Sequence, residues 1–204
     1  MRAFDQLEKG QTVRIVVSES PQKLLRQLVA ARWGTFDWAP LGGGPPSWLA
    51  DVRKRAEPWN GSLLEFLAED HRRCDALFAE AEAAAQGGDP KRAGALSAMF
   101  TFGMRRHFSM EEEGFFSEFD ARTGMQGSGP TQVMREEHAQ MRGLLDRIDA
   151  AAAAADLAGL LSAGETLLIL MEQHNLKEEQ MLYVFADEVF QGVTDEILKR
   201  LVMF

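Results

Sequence analysis

The sequence predicts a mainly α protein: an antiparallel up-down four-helix bundle preceded by a small, incomplete β-α-β-β unit. Three observations favour this fold class. Helical periodicity fills the chain from residue 61 onward, whereas short apolar segments typical of strands lie before it. Motifs that contain histidine recur at a constant spacing in the helical part. The composition also changes near residue 60, because all four tryptophans precede that point and all four histidines follow it.

Residues 1–57 are expected to form the small α/β unit. Over 13–17, apolar side chains occupy every second position, which is typical of a strand. Leucine or valine at positions 24, 25, 28 and 29 gives the next segment one apolar helical face. The stretches 33–40 and 47–54 have the pattern of two further strands, and the GGGPP sequence between them predicts a turn.

Residues 61–190 are expected to form the bundle, and residues 191–204 a short C-terminal helix. Ser62 and Glu65 form a capping box ahead of the first helix, and an Asp-Pro pair starts the second. Short connections between long helices favour the up-down arrangement. The four helices are predicted over about 62–86, 90–120, 131–154 and 157–190.

The helical part contains an internal repeat. An HxxxE motif occurs at 107–111 and again at 174–178. The two other histidines, His71 and His138, are separated by the same interval along the chain, and each precedes its HxxxE motif by 36 residues. The sequence therefore predicts two helix pairs related by a pseudo-twofold axis.

The repeated side chains are the candidate site. A His and a Glu four residues apart on a helix lie about 5–6 Å apart at Cβ and can hold one cation together. Burying four imidazoles and two carboxylates in a bundle is costly, and a pair of divalent cations compensates that cost. Imidazole with carboxylate suits iron, manganese or zinc, and the absence of thiolates argues against an iron–sulfur cluster. The predicted metal ligands are His71, His107, Glu111, His138, His174 and Glu178.

Composition excludes several classes of function. Residues 61–204 carry thirteen Lys or Arg against twenty-five Asp or Glu, which argues against a nucleic-acid partner. Cys74 is the only cysteine, so a disulfide framework is excluded and a reducing compartment is expected. The sequence has neither a secretory signal nor an apolar stretch long enough for a membrane span. We therefore expect a cytoplasmic location and no membrane partner.

Residues 61–190 resemble a haemerythrin-like (HHE cation-binding) domain, whose pattern is H…HxxxE…H…HxxxE/D on four helices. The resemblance implies that the four histidines are terminal ligands of two iron ions and that Glu111 and Glu178 bridge them. It also implies an oxo or hydroxo bridge and an open position for a small diatomic ligand, O2 or NO. Manganese and zinc remain alternatives to iron.

Two departures from the oxygen-carrying haemerythrins argue against simple reversible O2 carriage. Those proteins have a fifth histidine where this sequence has Arg142. Their last carboxylate is an aspartate five residues after its histidine, whereas Glu178 follows His174 by four. The set of four histidines and two glutamates is similar to that of the bacterial repair-of-iron-centres proteins. Those proteins carry an N-terminal cysteine pair, and this chain has no cysteine before Cys74.

Residues 1–57 resemble a SirA/TusA-like domain of unknown function that lacks its first strand. The thiol of the sulfur-carrying relatives is also absent, so no sulfur transfer is expected. An incomplete sheet exposes an edge, and we expect either the bundle or a second subunit to cover that edge. A homo-oligomer formed through this unit is one of these two alternatives.

Four side chains near the predicted ligands have more ordinary interpretations. Glu112 and Glu179 follow the two ligand carboxylates and are expected either at the surface or hydrogen-bonded to a ligand. Tyr183 is expected to pack in the core rather than reach the site. Cys74 is expected to be a buried, inert thiol.

The first functional hypothesis is a non-enzymatic di-iron protein that binds or senses O2 or NO, or holds iron. One alternative is a di-iron reductase of nitric oxide or peroxide. Another is a stress-linked iron donor, or an iron-centre repair protein, that acts on a protein partner. Turnover with an electron donor distinguishes the enzyme from the sensor, and labile metal distinguishes the donor.

Overall fold

The computed structural model describes residues 2–44 and 47–204, and it confirms a mainly helical chain with a helical bundle and a small N-terminal sheet. The strands are β1 Thr12–Val17, β2 Phe36–Gly44 and β3 Ser47–Lys54. The α-helices are α1 Arg2–Asp5, α2 Gln22–Arg32, α3 Leu63–Gln86, α4 Pro90–Ser109, α5 Ser117–Thr123, α6 Pro130–Ala153, α7 Leu157–Lys177, α8 Tyr183–Val189 and α9 Thr194–Leu201. Residues 45 and 46 of the predicted GGGPP turn lie outside the described residues.

The N-terminal sheet has the strand order β1-β3-β2, and both neighbouring pairs are antiparallel. The side chains of β1 alternate between exposed and half-buried positions, as the sequence pattern predicts. One helix, α2, buries Leu25 and Leu28 in a core shared with Trp38 of β2 and Val52 of β3. A β-α-β-β unit is therefore present, as expected.

The N-terminal unit packs against the bundle through its sheet and through the end of the chain, among other contacts. The edge strand β2 lies beside α4, so the bundle contacts the sheet at this strand. At the end of the chain, Val202 joins the core of the sheet, and the Gln22 side chain donates a hydrogen bond to the carbonyl of Met203. The last residues of the chain thus tie the bundle to the small unit.

Four antiparallel rods form the bundle. The first rod is α3 and the third is α6. The second rod runs through α4, the π-helical segment Met110–Phe116 and α5, and the fourth through α7, the π-helical segment Glu178–Leu182 and α8. Each rod contacts the next along the chain, and α3 also contacts α7, which closes the up-down arrangement.

The two π-helical segments are the main difference from the predicted helices. Each contains the glutamate of an HxxxE motif and the residues that follow it. In such a segment the backbone N–H bonds five residues back instead of four, as Tyr183 N–H does to the carbonyl of Glu178. Gly114 lies in the first segment, where an added Cβ would fall 2.3 Å from a Leu201 methyl carbon, so its small size admits α9.

Side chains at the ends of the rods fix how the two helix pairs meet. The predicted capping box at the start of α3 is present, with Glu65 N–H donating to Ser62 Oγ at 3.1 Å. Asp187, at the end of the fourth rod, accepts a hydrogen bond from Leu63 N–H at 2.8 Å. Its counterpart in the repeat, Asp120, accepts one from Thr131 at the start of the third rod.

The core of the bundle consists of two apolar clusters, one toward each end. Phe100, Met104 and Met171 belong to one of them, and Phe115 and Phe190 to the other. The repeated His and Glu side chains lie among these clusters. None of the helices in the described residues is both long enough and apolar enough to cross a membrane.

Candidate metal centre

All six predicted ligands converge in the interior of the bundle, and every rod contributes to the group. The first and third rods each supply one histidine, and the second and fourth each supply a histidine and a glutamate one turn later. None of these six residues is more than 4% exposed, although all are polar. Buried polar groups of this kind require partners, so the way in which they face one another is informative.

The four histidines form two pairs, each made across two neighbouring rods. In pair A, the Nε2 atoms of His71 and His107 lie 2.9 Å apart. In pair B, the Nε2 atoms of His138 and His174 lie 3.1 Å apart. The two pairs are related by the internal repeat of the sequence.

The two glutamates lie between the pairs. Glu178 spans both, with Oε2 3.3 Å from His71 Nε2 and Oε1 3.1 Å from His174 Nε2. Glu111 directs its Oε2 toward both pairs, 3.1 Å from His138 Nε2 and 3.5 Å from His107 Nε2. Each carboxylate therefore lies close to both histidine pairs, as a carboxylate that bridges two cations would.

Every histidine also contacts a carboxylate through its outward nitrogen, Nδ1. Two of these carboxylates immediately precede a site histidine: Asp70 accepts from His107 at 3.1 Å, and Glu137 accepts from His174 at 2.9 Å. Because an Nδ1–H that donates outward leaves Nε2 as the bare nitrogen of a neutral imidazole, these contacts select the tautomer that can bind a cation.

The other two carboxylates immediately follow the site glutamates. Glu179 accepts from His71 Nδ1, and Glu112 accepts from His138 Nδ1, both at 2.8 Å. Glu112 and Glu179 were expected either at the surface or hydrogen-bonded to a ligand residue, and the structure shows the hydrogen bonds. The four outer contacts obey the same pseudo-twofold repeat as the site itself.

Basic side chains hold three of the outer carboxylates in place. Arg106 donates to Asp70 at 3.1 Å, and Lys177 pairs with Glu137. Arg142, which stands where the oxygen-carrying haemerythrins have their fifth histidine, donates two hydrogen bonds of 2.9 Å to Glu112. Arg142 thus supports an outer carboxylate instead of acting as a ligand.

The inner atoms of the site lack the hydrogen bonds that buried polar atoms normally form. Within the described residues, Glu111 Oε2 and Glu178 Oε1 have no hydrogen-bond partner. They lie 3.1 Å from imidazole nitrogens, but with Nδ1 as the donor both atoms of such a contact carry lone pairs. A cation between them satisfies both.

The electrostatics of the site also favour positive charge. Burial lowers the pKa of His71, but its interactions with Glu178 and Glu179 outweigh burial and raise that pKa to about 10. For His138, interactions with Glu111 and Glu112 likewise overcome burial and raise the pKa to about 9. The surrounding carboxylates thus favour positive charge at this site, which a bound cation would supply.

Tyr183 reaches the centre, contrary to the prediction that it only packs. Its ring is part of the apolar core, but its hydroxyl donates toward Glu111 Oε1 at 2.7 Å and Glu178 Oε2 at 2.8 Å. The hydroxyl also lies 3.3 Å from His71 Nε2. Burial, then the charges of the two glutamates, raises the pKa of Tyr183 well above its usual value, so the phenol is a neutral donor.

Sequence reasoning found the six inner side chains and missed two outer ones, Asp70 and Glu137. The signal was present, since each is an acidic residue immediately before a histidine and the two occupy equivalent positions of the repeat. Cys74 is buried as expected, and burial followed by the charge of Asp70 raises the pKa of its thiol to about 12.

The arrangement can hold metal ions. Two groups have ligand atoms close enough to share an ion: Glu111, His138, His174 and Glu178 form one, and His71, His107 and Glu178 form the other. Nitrogen and carboxylate donors of this kind suit iron, manganese or zinc. The orphaned oxygens, the inward Nε2 atoms and the donor chemistry all fit a cation.

Comparison with known protein families gives a match to Hemerythrin, described as the hemerythrin HHE cation binding domain, over residues 62–186. The match covers more than half of the chain and includes all six inner residues. It does not extend over the N-terminal unit, whose SirA/TusA-like resemblance stays a prediction. Comparisons with curated proteins and with solved structures give no match.

Proposed function

Because this chain belongs to the hemerythrin HHE cation-binding family, we propose that it holds two iron ions and binds or senses a small diatomic molecule, O2 or NO. The observation that carries the proposal is the convergence of two orphaned carboxylate oxygens and four inward imidazole nitrogens. The four histidines would be terminal ligands, and Glu111 and Glu178 would bridge the two positions. A pair of iron ions supplies redox-active binding of a diatomic ligand.

The protein's own residues set the conditions at this centre. Outer carboxylates orient each imidazole and keep its inward nitrogen free of hydrogen, which raises its basicity as a ligand. Phe108 stacks on His138 with ring centroids 4.2 Å apart, and Phe115 and Phe116 are fully buried nearby. These buried apolar rings form part of the wall of the centre, and such surroundings support a small, uncharged ligand.

One outer contact supports a sensing role. A cleft of about 990 Å³ between the sheet and the bundle is lined by side chains of both units, among them Asp37, Arg55, Asp70 and Arg106. Asp70 bonds directly to His107, so a change at pair A can reach the wall of this cleft through one side chain. We propose that the N-terminal unit responds to the state of the centre by this route.

The experiment is anaerobic reconstitution with Fe(II), followed by addition of O2 or NO and measurement of metal content and optical spectrum. We expect two iron ions per chain and a spectral change that saturates at a fixed ratio of gas to protein. Failure to take up iron would contradict the proposal. Sustained consumption of NO or peroxide with an electron donor would instead establish the reductase, and loss of iron to a chelator from the reduced protein would favour the donor.

A further inference from the structure

The two metal positions have unequal surroundings although their histidines are related by the repeat. Tyr183 and Phe116 occupy equivalent positions of the repeat, and each follows its site glutamate by five. Their rings occupy matching places: the Tyr183 ring centroid lies 5.8 Å from that of His71, and the Phe116 centroid lies 6.0 Å from that of His138. The two rings therefore have equivalent positions but different chemistry, because only Tyr183 carries a hydroxyl.

The hydroxyl of Tyr183 occupies one oxygen of each bridging carboxylate. Its single hydrogen is shared between Oε1 of Glu111, at 2.7 Å, and Oε2 of Glu178, at 2.8 Å. The oxygens that remain without a partner in residues 2–44 and 47–204 are the two others, Glu111 Oε2 and Glu178 Oε1. By its contacts with Glu111 Oε1 and Glu178 Oε2, Tyr183 leaves the other oxygen of each carboxylate available to a cation.

Both free oxygens lie nearer to pair B, although Glu111 Oε2 is also 3.5 Å from His107 Nε2. Glu111 Oε2 lies 3.1 Å from His138 Nε2, and Glu178 Oε1 lies 3.1 Å from His174 Nε2. Pair B therefore presents four ligand atoms: two imidazole nitrogens, which lie 3.1 Å from each other, and two carboxylate oxygens that the Tyr183 hydroxyl does not contact. At pair A, the nearest oxygen of Glu178 is the one that Tyr183 holds, and the hydroxyl itself lies 3.3 Å from His71 Nε2.

This asymmetry rests on the proposed function and goes beyond it. We infer that Tyr183 makes the two positions unequal, so that a cation binds first at pair B and the pair A position fills only when the Tyr183 hydroxyl releases a carboxylate. Tyr183 is then a positioning residue. It sets the order in which the centre is loaded.

The π-helical segment is the backbone feature that makes this possible. Five residues of α-helix correspond to about 140° beyond one full turn, which would direct Tyr183 away from Glu178. The five-residue hydrogen bond of the segment turns Tyr183 back over Glu178 instead. Since Phe116 follows Glu111 through a π-helical segment as well, a hydroxyl placed at Phe116 is expected to reach the same carboxylates from the pair B side.

The test is a titration of the full-length protein with Zn(II), which has no redox chemistry, in wild type, Tyr183→Phe, Phe116→Tyr and the double variant. Calorimetry gives the two dissociation constants. Nitrogen chemical shifts of labelled histidine show which pair is bound after one equivalent. We expect the wild type to fill His138 and His174 first, with roughly tenfold or more between the two constants, the size of one hydrogen bond to a charged acceptor.

The variants give opposite expectations. In Tyr183→Phe the second zinc ion should bind roughly tenfold more tightly, since no hydroxyl competes for the carboxylates. In the double variant the order should reverse, with His71 and His107 filled first. If Phe116→Tyr does not fold, the second zinc dissociation constant of Tyr183→Phe is sufficient to test the inference.

Three results would overturn the inference while leaving two-metal binding intact: pair A filling first in the wild type, equal filling of both pairs, or weaker second binding in Tyr183→Phe. The last of these would show that the hydroxyl is a ligand instead of a competitor. A wild-type protein that binds no zinc would contradict metal binding itself, and this inference with it.

Discussion

The hydroxyl of Tyr183 and the carboxylate of Glu178 lie 2.8 Å apart although the two residues are five positions apart on one rod. An uninterrupted α-helix does not bring such residues together, whereas a π-helical turn does. The local change of helix type therefore adds a seventh side chain to a site that otherwise consists of two HxxxE motifs and two further histidines. Such segments are frequent at functional sites, and here the reason is the angle through which one residue is turned.

Glu111→Gln tests whether a negative charge between the two pairs is needed. The amide keeps the shape of the side chain but removes the charge that a bridging ligand supplies, so we expect fewer metal ions per chain and loss of the metal-dependent rise in Tm. A cation present at 100 times its Kd stabilises the fold by about 2.7 kcal/mol. Glu113→Gln, the same change at an exposed position two residues away, is the control. Equal metal content in both variants would exclude Glu111 as a ligand.

Glu137→Gln tests the outer carboxylates. The amide is a poorer acceptor for the Nδ1–H of His174 and no longer pairs with Lys177, so the imidazole is held less firmly. We expect metal affinity to fall by about 10–100-fold with little change in the stability of the metal-free protein. Glu136→Gln, at the exposed neighbouring position, should bind as the wild type does. A wild-type Kd for Glu137→Gln would show that its contact has no role in binding.

The fold was predictable where the repeat determined it. Capping residues, Gly-Gly and Asp-Pro breaks and a constant spacing of histidines located the four rods and the six inner side chains, because each of these signals is local or periodic. Packing was the expectation for Tyr183, and an α-helical period of 3.6 residues would indeed place it away from Glu178. No local signal in the sequence marks the π-helical turn that reverses this assignment.

Long-range packing was beyond the sequence patterns. The placement of β2 beside α4 joins residues far apart in the chain, and neither segment carries a signature of the other. The expectation that the exposed edge would be covered by the bundle or by a second subunit left that question open, and the structure shows the bundle at β2. Oligomer formation stays a prediction.

Asp187→Ala tests the connection between the end of the fourth rod and the start of the first. The carboxylate accepts from the N–H groups of Leu63 at 2.8 Å and Leu64 at 3.4 Å, which have no partner within the first helical turn. Its removal should lower the free energy of unfolding by about 1 kcal/mol, the usual cost of losing a helix cap. Glu188→Ala, at the neighbouring position, should change it far less. Denaturant unfolding of the two variants measures both free energies, and equal values would contradict the capping role of Asp187.

Cys74 is predicted to be unreactive in the folded protein. Burial, and then the charge of Asp70, raises the pKa of the thiol to about 12, whereas an unfolded cysteine has a pKa of about 8.5. At pH 8 the reactive thiolate is therefore roughly a thousandfold scarcer in the folded chain. Alkylation should be slow in buffer and rapid in denaturant. Rapid labelling of the native protein would mean that the interior near His71 opens readily.

The central claim is that six side chains from four rods hold two cations side by side. Anomalous diffraction at the iron absorption edge, from crystals of the iron-loaded protein, tests it most directly. We predict two peaks inside the bundle, one beside His71 and His107 and the other beside His138 and His174. The absence of a peak between these imidazoles, or iron bound only at surface carboxylates, would contradict the account.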